Sequence, residues 1–177
     1  MRLNLGCGGR RYENYINLDI RMGAGDVQWD CSLPLPYPDN SIEEIRMDSF
    51  FEHLFMTEAV ECLKDWYKKL KTGGELIITY LPDFDKVAEQ YLDGTLDKIR
   101  GDATGLDIAY GALFGAPCGS DVGQLHKAMY TRNSIEALIL QAGFKIDTLA
   151  YAKDLFPGIE NEFPLDEYSL WIKAIKE

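Results

Sequence analysis

An open, three-layer α/β sheet, mostly parallel, is the fold class predicted for this 177-residue chain. Three features predict it. Short apolar runs alternate with segments of helical period. One of those runs, LIITYL at 76–81, is almost continuously apolar, as in a strand covered on both faces. A glycine turn directly follows the first run, and an acid closes the second.

The elements follow in order. Residues 3–5 read as the first strand, Gly6-Cys7-Gly8-Gly9 as a turn, and residues 15–18 as a second strand with Asp19 at its carboxyl end. Only a single helical turn fits between Arg10 and Asn14, so the first loop-helix region is shortened. Residues 26–29 suit a short third strand ending at Asp30, and Pro34, Pro36 and Pro38 then impose a stiff loop. Ile42, Ile45 and Met47 mark a fourth strand. Ala59, Val60, Leu63, Tyr67 and Leu70 repeat at helical spacing, which predicts a helix over 57–70 capped by Thr57 and ended by Gly73-Gly74. Pro82 stops the fifth strand at 76–81. A helix over 133–141 closed by Gly143, a strand over 144–150 and an alternating strand over 168–175 complete the sheet, the last suited to antiparallel pairing at the C-terminal edge.

The stretch 83–130 departs from this rhythm. After an amphipathic helix over 84–92 come glycines at 94, 101, 105, 111, 115, 119 and 123, with short helices expected near 106–114. This is too long for an ordinary connection. An insertion leaving the carboxyl end of the fifth strand is a candidate lid over a ligand cleft, or else a cover for the sheet edge. The chain as a whole, 1–177, reads as one domain.

Composition narrows the partners. The net charge of -11, from 18 basic and 29 acidic side chains, argues against a nucleic-acid backbone, and the dense basic run Lys68, Lys69 and Lys71 belongs to a helix end. A small-molecule substrate is expected instead. Cys7, Cys31, Cys62 and Cys118 form no CxxC pair, and with only His53 and His126 beside them no metal site is expected. No apolar run has membrane-spanning length and the chain opens directly on a strand, so neither an integral membrane segment nor a signal peptide is expected, and the cytoplasm is the expected compartment. A homodimer is left open.

The glycine turn and Asp19 carry the chemistry. Glycines let the backbone approach a ligand closely, and an acid at the tip of the next strand can accept both hydroxyls of a ribose. Dinucleotide sites place a full helix after the turn and the acid about 20 residues on. The shorter interval here favours a small, phosphate-free adenosine cofactor.

The stretches LNLGCGG, YINLDI, WDCSLPLPYPDNSIEEI, FFEHL, LKDWYKKLKTGGELIITYLPD and LHKAMYTRNSIEALILQAGF, in this order over most of the chain, resemble the class I S-adenosylmethionine-dependent methyltransferases, in particular small members without an assigned substrate. The resemblance implies a Rossmann-like sheet and S-adenosyl-L-methionine as cofactor, leaving S-adenosyl-L-homocysteine as product. It implies that Gly6, Cys7 and Gly8 pass beneath the methionine part, that Asp19 binds the ribose, and that Ile20 packs on the adenine. Asp30 would accept from the adenine amino group, Cys31 would line that pocket, and Asp48 and Ser49 would lie near the amino-acid tail. Asn4 stands where the family usually has an acid, and its amide would hold a water or the methionine ammonium.

Methyl transfer from a sulfonium needs in-line positioning, exclusion of water and, for some acceptors, a base. His126, where the insertion returns to the sheet, is the first candidate base and His53 the second. Tyr80, Asp83 and Tyr130 are weaker site candidates, and Trp29, Trp66 and Trp171 read as core or sheet-covering residues and not as an aromatic substrate cage. The expected activity is methyl transfer to a small acceptor such as a sugar or another metabolite. The alternative is a non-catalytic homologue that binds the cofactor and serves as a partner or regulatory subunit.

Overall fold

In the computed structural model, which describes residues 1–96, 104–115, 122–155 and 168–177, seven strands form one sheet: β1 (Arg2–Leu5), β2 (Ile16–Asp19), β3 (Val27–Gln28), β4 (Ile42–Asp48), β5 (Leu70–Pro82), β6 (Lys145–Tyr151) and β7 (Ser169–Ile175). Their order is β3-β2-β1-β4-β5-β7-β6. The first five pair in parallel, while β7 runs antiparallel between β5 and β6. The antiparallel edge is thus a pair of strands, with the C-terminal strand inside it and β6 outermost. Gly101, Cys118 and Gly119 lie outside the described residues.

Apolar side chains of the parallel strands, Leu3, Leu5, Leu18, Ile45, Met47, Leu76 and Ile78 among them, are fully buried. Helix α1 (Met56–Lys69) crosses from β4 to β5 and buries Ala59, Cys62, Leu63 and Trp66. It starts before Thr57, because the Glu58 carboxylate accepts from the Phe55 N–H at 2.8 Å and so closes the first turn. It also ends before the glycines. Leu70 is already extended (ψ 145°), and the chain passes straight into β5, where Gly73 takes φ 77° within the register shift against β4. Helix α2 (Phe84–Leu92) is capped by Asp83, whose carboxylate accepts from Asp85 N–H at 3.1 Å and from the Tyr151 hydroxyl at 2.7 Å. Helix α3 (Gly105–Phe114) packs with α2 around a second, smaller core of Val87, Leu96, Ile108, Ala109, Ala112 and Tyr168. Helix α4 (Arg132–Gln141), capped by Thr131, precedes β6, and a short helix α5 (Ala152–Leu155) follows it.

No helix joins β1 to β2. Their parallel pairing is held by side-chain amides in its place. The Asn4 amide donates to Arg10 O and to Asn17 Oδ1, both at 2.9 Å. Asn17 Oδ1 also accepts from Tyr12 N–H at 3.0 Å, and Asn17 Nδ2 donates to Asp26 Oδ2 at 2.7 Å. Both asparagines are buried. Each stranded buried polar group costs about 1–3 kcal/mol. Asn17→Ala, which strands several of them, is therefore expected to lower unfolding stability by about 2–4 kcal/mol in chemical denaturation.

Candidate active site

The strand order reverses between β1 and β4, and in such sheets the crevice outside the carboxyl ends at that point is the ligand site. A cleft of ≈ 390 Å³ opens there, within the range of small-molecule sites. Its wall is built by the turn Gly6–Arg10, by Asp19, Ile20 and Arg21 after β2, by residues 29–32 after β3, and by Asp48, Ser49 and Phe50 after β4. His53, Leu54 and Glu58 close one side, and Gly123, Gln124 and Lys127 of the segment returning from the insertion close another. Among the described residues, the insertion's part in this wall comes from that returning segment; α2 and α3 contribute nothing to it.

The glycine turn is sterically fixed. A Cβ on Gly6 would stand 2.2 Å from Cδ2 of Phe50, and φ is +59°, which disfavours any side chain. Gly8, at φ +54°, donates its N–H to Asp19 Oδ2 at 2.7 Å. The Asp19 carboxylate, at 4% exposure, also accepts from Arg21 N–H at 2.9 Å and from Arg21 Nε at 3.0 Å. Burial works to raise its pKa, but the Arg21 and Gly8 donors outweigh burial and hold the carboxyl below the usual range. Asp19 is therefore a buried anion at the cleft. Ile20 beside it is exposed.

Asp30 Oδ1 is engaged by Ser32 N–H at 3.0 Å and by the Ser32 hydroxyl at 2.7 Å. Burial pushes the Cys31 thiol up to about 12, making it a neutral wall, and burial likewise raises the Cys7 thiol. Asp48 accepts from the hydroxyls of Tyr12 and Thr79 and is flanked by Arg46 Nε at 3.3 Å and Arg10 Nη1 at 3.5 Å. Ser49, exposed, takes φ +49° at the strand end. Such left-handed backbone at a non-glycine residue costs energy and collects at functional sites.

Of the residues singled out from sequence, Gly6, Cys7, Gly8, Asp19, Ile20, Asp30, Cys31, Asp48, Ser49 and His53 meet at this cleft. Asn4 and His126 do not. Asn4 is buried beneath the turn, its amide spent on Arg10 O and Asn17. His126 lines a separate small void with Glu52, Pro82, Ala112 and Met129, because its ring turns to the other side of the returning segment, with Nδ1 2.9 Å from Ala112 O. Its ring stands edge-on to His53 at 5.0 Å, behind the cleft wall. Burial and then the neighbouring His53 lower its pKa to about 4, while burial raises Glu52 to about 8. Tyr80 takes φ +59° and stacks beneath Arg10, Tyr130 is core, and Asp83 is the cap of α2. Trp29, expected as a core or sheet-covering residue, reaches the cleft wall, and Arg10, Arg21, Gln124 and Lys127 were not foreseen there. Arg21 directly follows the Asp19-Ile20 pair and could have been suspected from that position alone. Nothing in the sequence brings Gln124 or Lys127 to the cleft.

No family model matches the chain, and no curated protein matches it in sequence. Solved structures do match it along nearly its whole length. A S-adenosylmethionine-dependent methyltransferase from Archaeoglobus fulgidus is similar over 99% of this chain and 85% of its own, with 15% identity and a TM-score of 0.61. The Thermotoga maritima enzyme, a S-adenosylmethionine-dependent methyltransferase proposed to act as a histamine N-methyltransferase, is similar over 99% and 82%, with 13% identity and a TM-score of 0.60. The Haloferax volcanii complex of the Trm112 methyltransferase activator with a proposed methyltransferase is similar over 99% and 81%, with 12% identity and a TM-score of 0.59.

The chain has the class I methyltransferase fold. Within that fold the cleft lies at the sheet's reversal, and its floor depends on Gly6. Gly6→Ala is expected to destabilise the protein by about 1–3 kcal/mol through the left-handed backbone alone, with more from the Phe50 clash. Thermal unfolding of the single variant and of Gly6→Ala with Phe50→Ala checks this: the double variant should recover the clash and keep the backbone cost.

Proposed function

We propose that the protein transfers a methyl group from S-adenosyl-L-methionine to a small-molecule acceptor. The observation that carries this is the Asp19 carboxylate, held as an anion at the tip of β2 and aligned by the Gly8 N–H at 2.7 Å. Around it the cleft offers what a phosphate-free adenosine compound needs. An acid stands ready for a ribose diol, exposed Ile20 for one face of a base, and a second acid, Asp30, lies at the end of the next strand segment. No helix begins at the glycine turn, so no helix N-terminus is there to hold a pyrophosphate.

When bound, the sulfonium supplies the activated methyl group. Under this reading Asp19 orients the cofactor by accepting its ribose hydroxyls, for which the half-exposed Arg21 side chain must give up part of its present contact. Gly6 and Gly8 let the backbone lie against the ligand. Asp48, clamped between two arginines and two hydroxyls, is held in a fixed position from which a carboxylate oxygen can accept from the α-ammonium of the zwitterionic amino-acid tail, with the arginines beside it for the tail's carboxylate. His53, on the cleft wall with Nδ1 bound to Leu125 O at 3.0 Å, is the histidine placed to take a proton from the acceptor. The net charge of -11 and a cleft of this size support a small acceptor over a polyanion, and the Thermotoga maritima similarity is in line with one.

The Arg21 clamp on Asp19 and the Haloferax volcanii complex favour a second reading, a cofactor-binding subunit that works through a partner. Transfer of labelled methyl to any member of an acceptor panel decides against it. For the cofactor itself, Asp19→Ala is expected to weaken S-adenosylhomocysteine binding by about 1.5–3 kcal/mol, as for hydrogen bonds to a charged acceptor. Calorimetry on the folded variant that found the affinity unchanged would remove the basis of the reading.

A further inference from the structure

Behind the cleft wall, Glu52, His53 and His126 bring one carboxylate oxygen and two imidazole nitrogens within 4.8 Å of one another. They come from two parts of the chain. Glu52 and His53 sit in the turn after β4, and His126 sits in the segment returning from the insertion. Glu52 is 3% exposed, and its Oε2 has no hydrogen-bond partner among the described residues. A buried carboxylate oxygen left without a donor is costly, and it calls for a ligand.

The histidines are oriented for one. His126 Nδ1 lies 2.9 Å from Ala112 O, and His53 Nδ1 lies 3.0 Å from Leu125 O. A carbonyl only accepts, so each Nδ1 carries the ring proton and each neutral ring has its lone pair on Nε2. His126 Nε2 points at the Glu52 carboxylate, 3.9 Å from Oε1. This is the arrangement of metal-binding histidines, whose far nitrogen is fixed by a backbone carbonyl. Tetrahedral ligands about 2.0–2.2 Å from an ion stand roughly 3.3–3.6 Å apart, so side-chain movements of about 1–1.5 Å close the set.

We propose that Glu52, His53 and His126 form a binding site for a divalent transition ion of the zinc class. Two imidazoles and one carboxylate suit such an ion and leave a coordination position open, whereas magnesium prefers an oxygen shell. The ion takes the place of the carboxyl proton and satisfies Glu52. It ties the turn after β4 to the returning segment and, through the Ala112 carbonyl, to α3. An ion held there occupies the His53 lone pair, so the ion-bound form is not the one in which His53 takes a proton from an acceptor. The ion site does not rest on the methyltransferase reading.

The test uses the full chain freed of metal by chelation and titrated with zinc ion alone, with cobalt(II) as a spectroscopic probe and magnesium as control. Saturable binding of a single zinc ion, cobalt d–d absorption of a low-coordinate site, and a rise in melting temperature with zinc are expected. Glu52→Gln, His53→Asn and His126→Asn should each weaken zinc binding more than about tenfold, and circular dichroism identifies the variants that remain folded. Absence of saturable zinc binding by the wild-type chain, or unchanged affinity in the folded variants, overturns the proposal. Because no acceptor or cofactor enters the titration, a failure of methyl transfer leaves the result intact.

Discussion

The geometry of this molecule depends on the hydrogen bonds around the Asn17 side chain. Two adjacent parallel strands ordinarily need a helix to carry the chain back. Here β1 and β2 are joined by a loop alone, and the polar groups a helix would have satisfied are met by Asn4, Asn17 and Asp26. That network sets where β2 ends relative to the glycine turn, and so where the Asp19 carboxylate stands against the Gly8 N–H. The amides serve as scaffold, one layer beneath the ligand surface.

Two of the acids lining the cleft carry their own counterions in a chain with a net charge of -11: Asp19 is held by Arg21, and Asp48 by Arg10 and Arg46. Such pairs fix side-chain directions before any ligand arrives, which lowers the ordering cost of binding. Arg21 is the adjustable member, half exposed and attached to the very oxygens a diol would use.

The positions of the strands, the layer type and the glycine-turn and acid pair were legible from local pattern, because each rests on residues close together in sequence, whereas the placing of the C-terminal strand inside the edge pair was not. Thr57 failed as a cap since Glu58 closes the turn on Phe55, two residues earlier in the backbone, an outcome that spacing alone does not distinguish. Gly73 and Gly74 looked like a helix terminator but serve a bulge in β5, where the partner strand decides their conformation. The same limit applies at the site. Ten of the residues chosen from sequence meet at the cleft, all from the ends of strands or the turn beyond β4. Asn4 was judged by its position in a motif, whereas its surroundings are fixed by the loop folding over it. Lys127 and His126 are placed by backbone bonds to Glu52 and Phe114, contacts between separate segments that carry no local signature.

The small apolar cluster shared by α2, α3 and Tyr168 stands apart from the main core under the sheet. Regions with their own sparse set of buried contacts open at lower free energy than the body they adjoin. The pair α2 and α3, whose entry is tied to the sheet by the bridge between Asp83 and Tyr130, is therefore expected to open before the parallel strands that carry the glycine turn and its acid. Replacing Gln124 or Lys127, which reach the cleft from the returning segment, would alter what the cleft admits while the β1–β2 hydrogen bonds stay untouched, so the chain can diversify its choice of guest without rebuilding its frame.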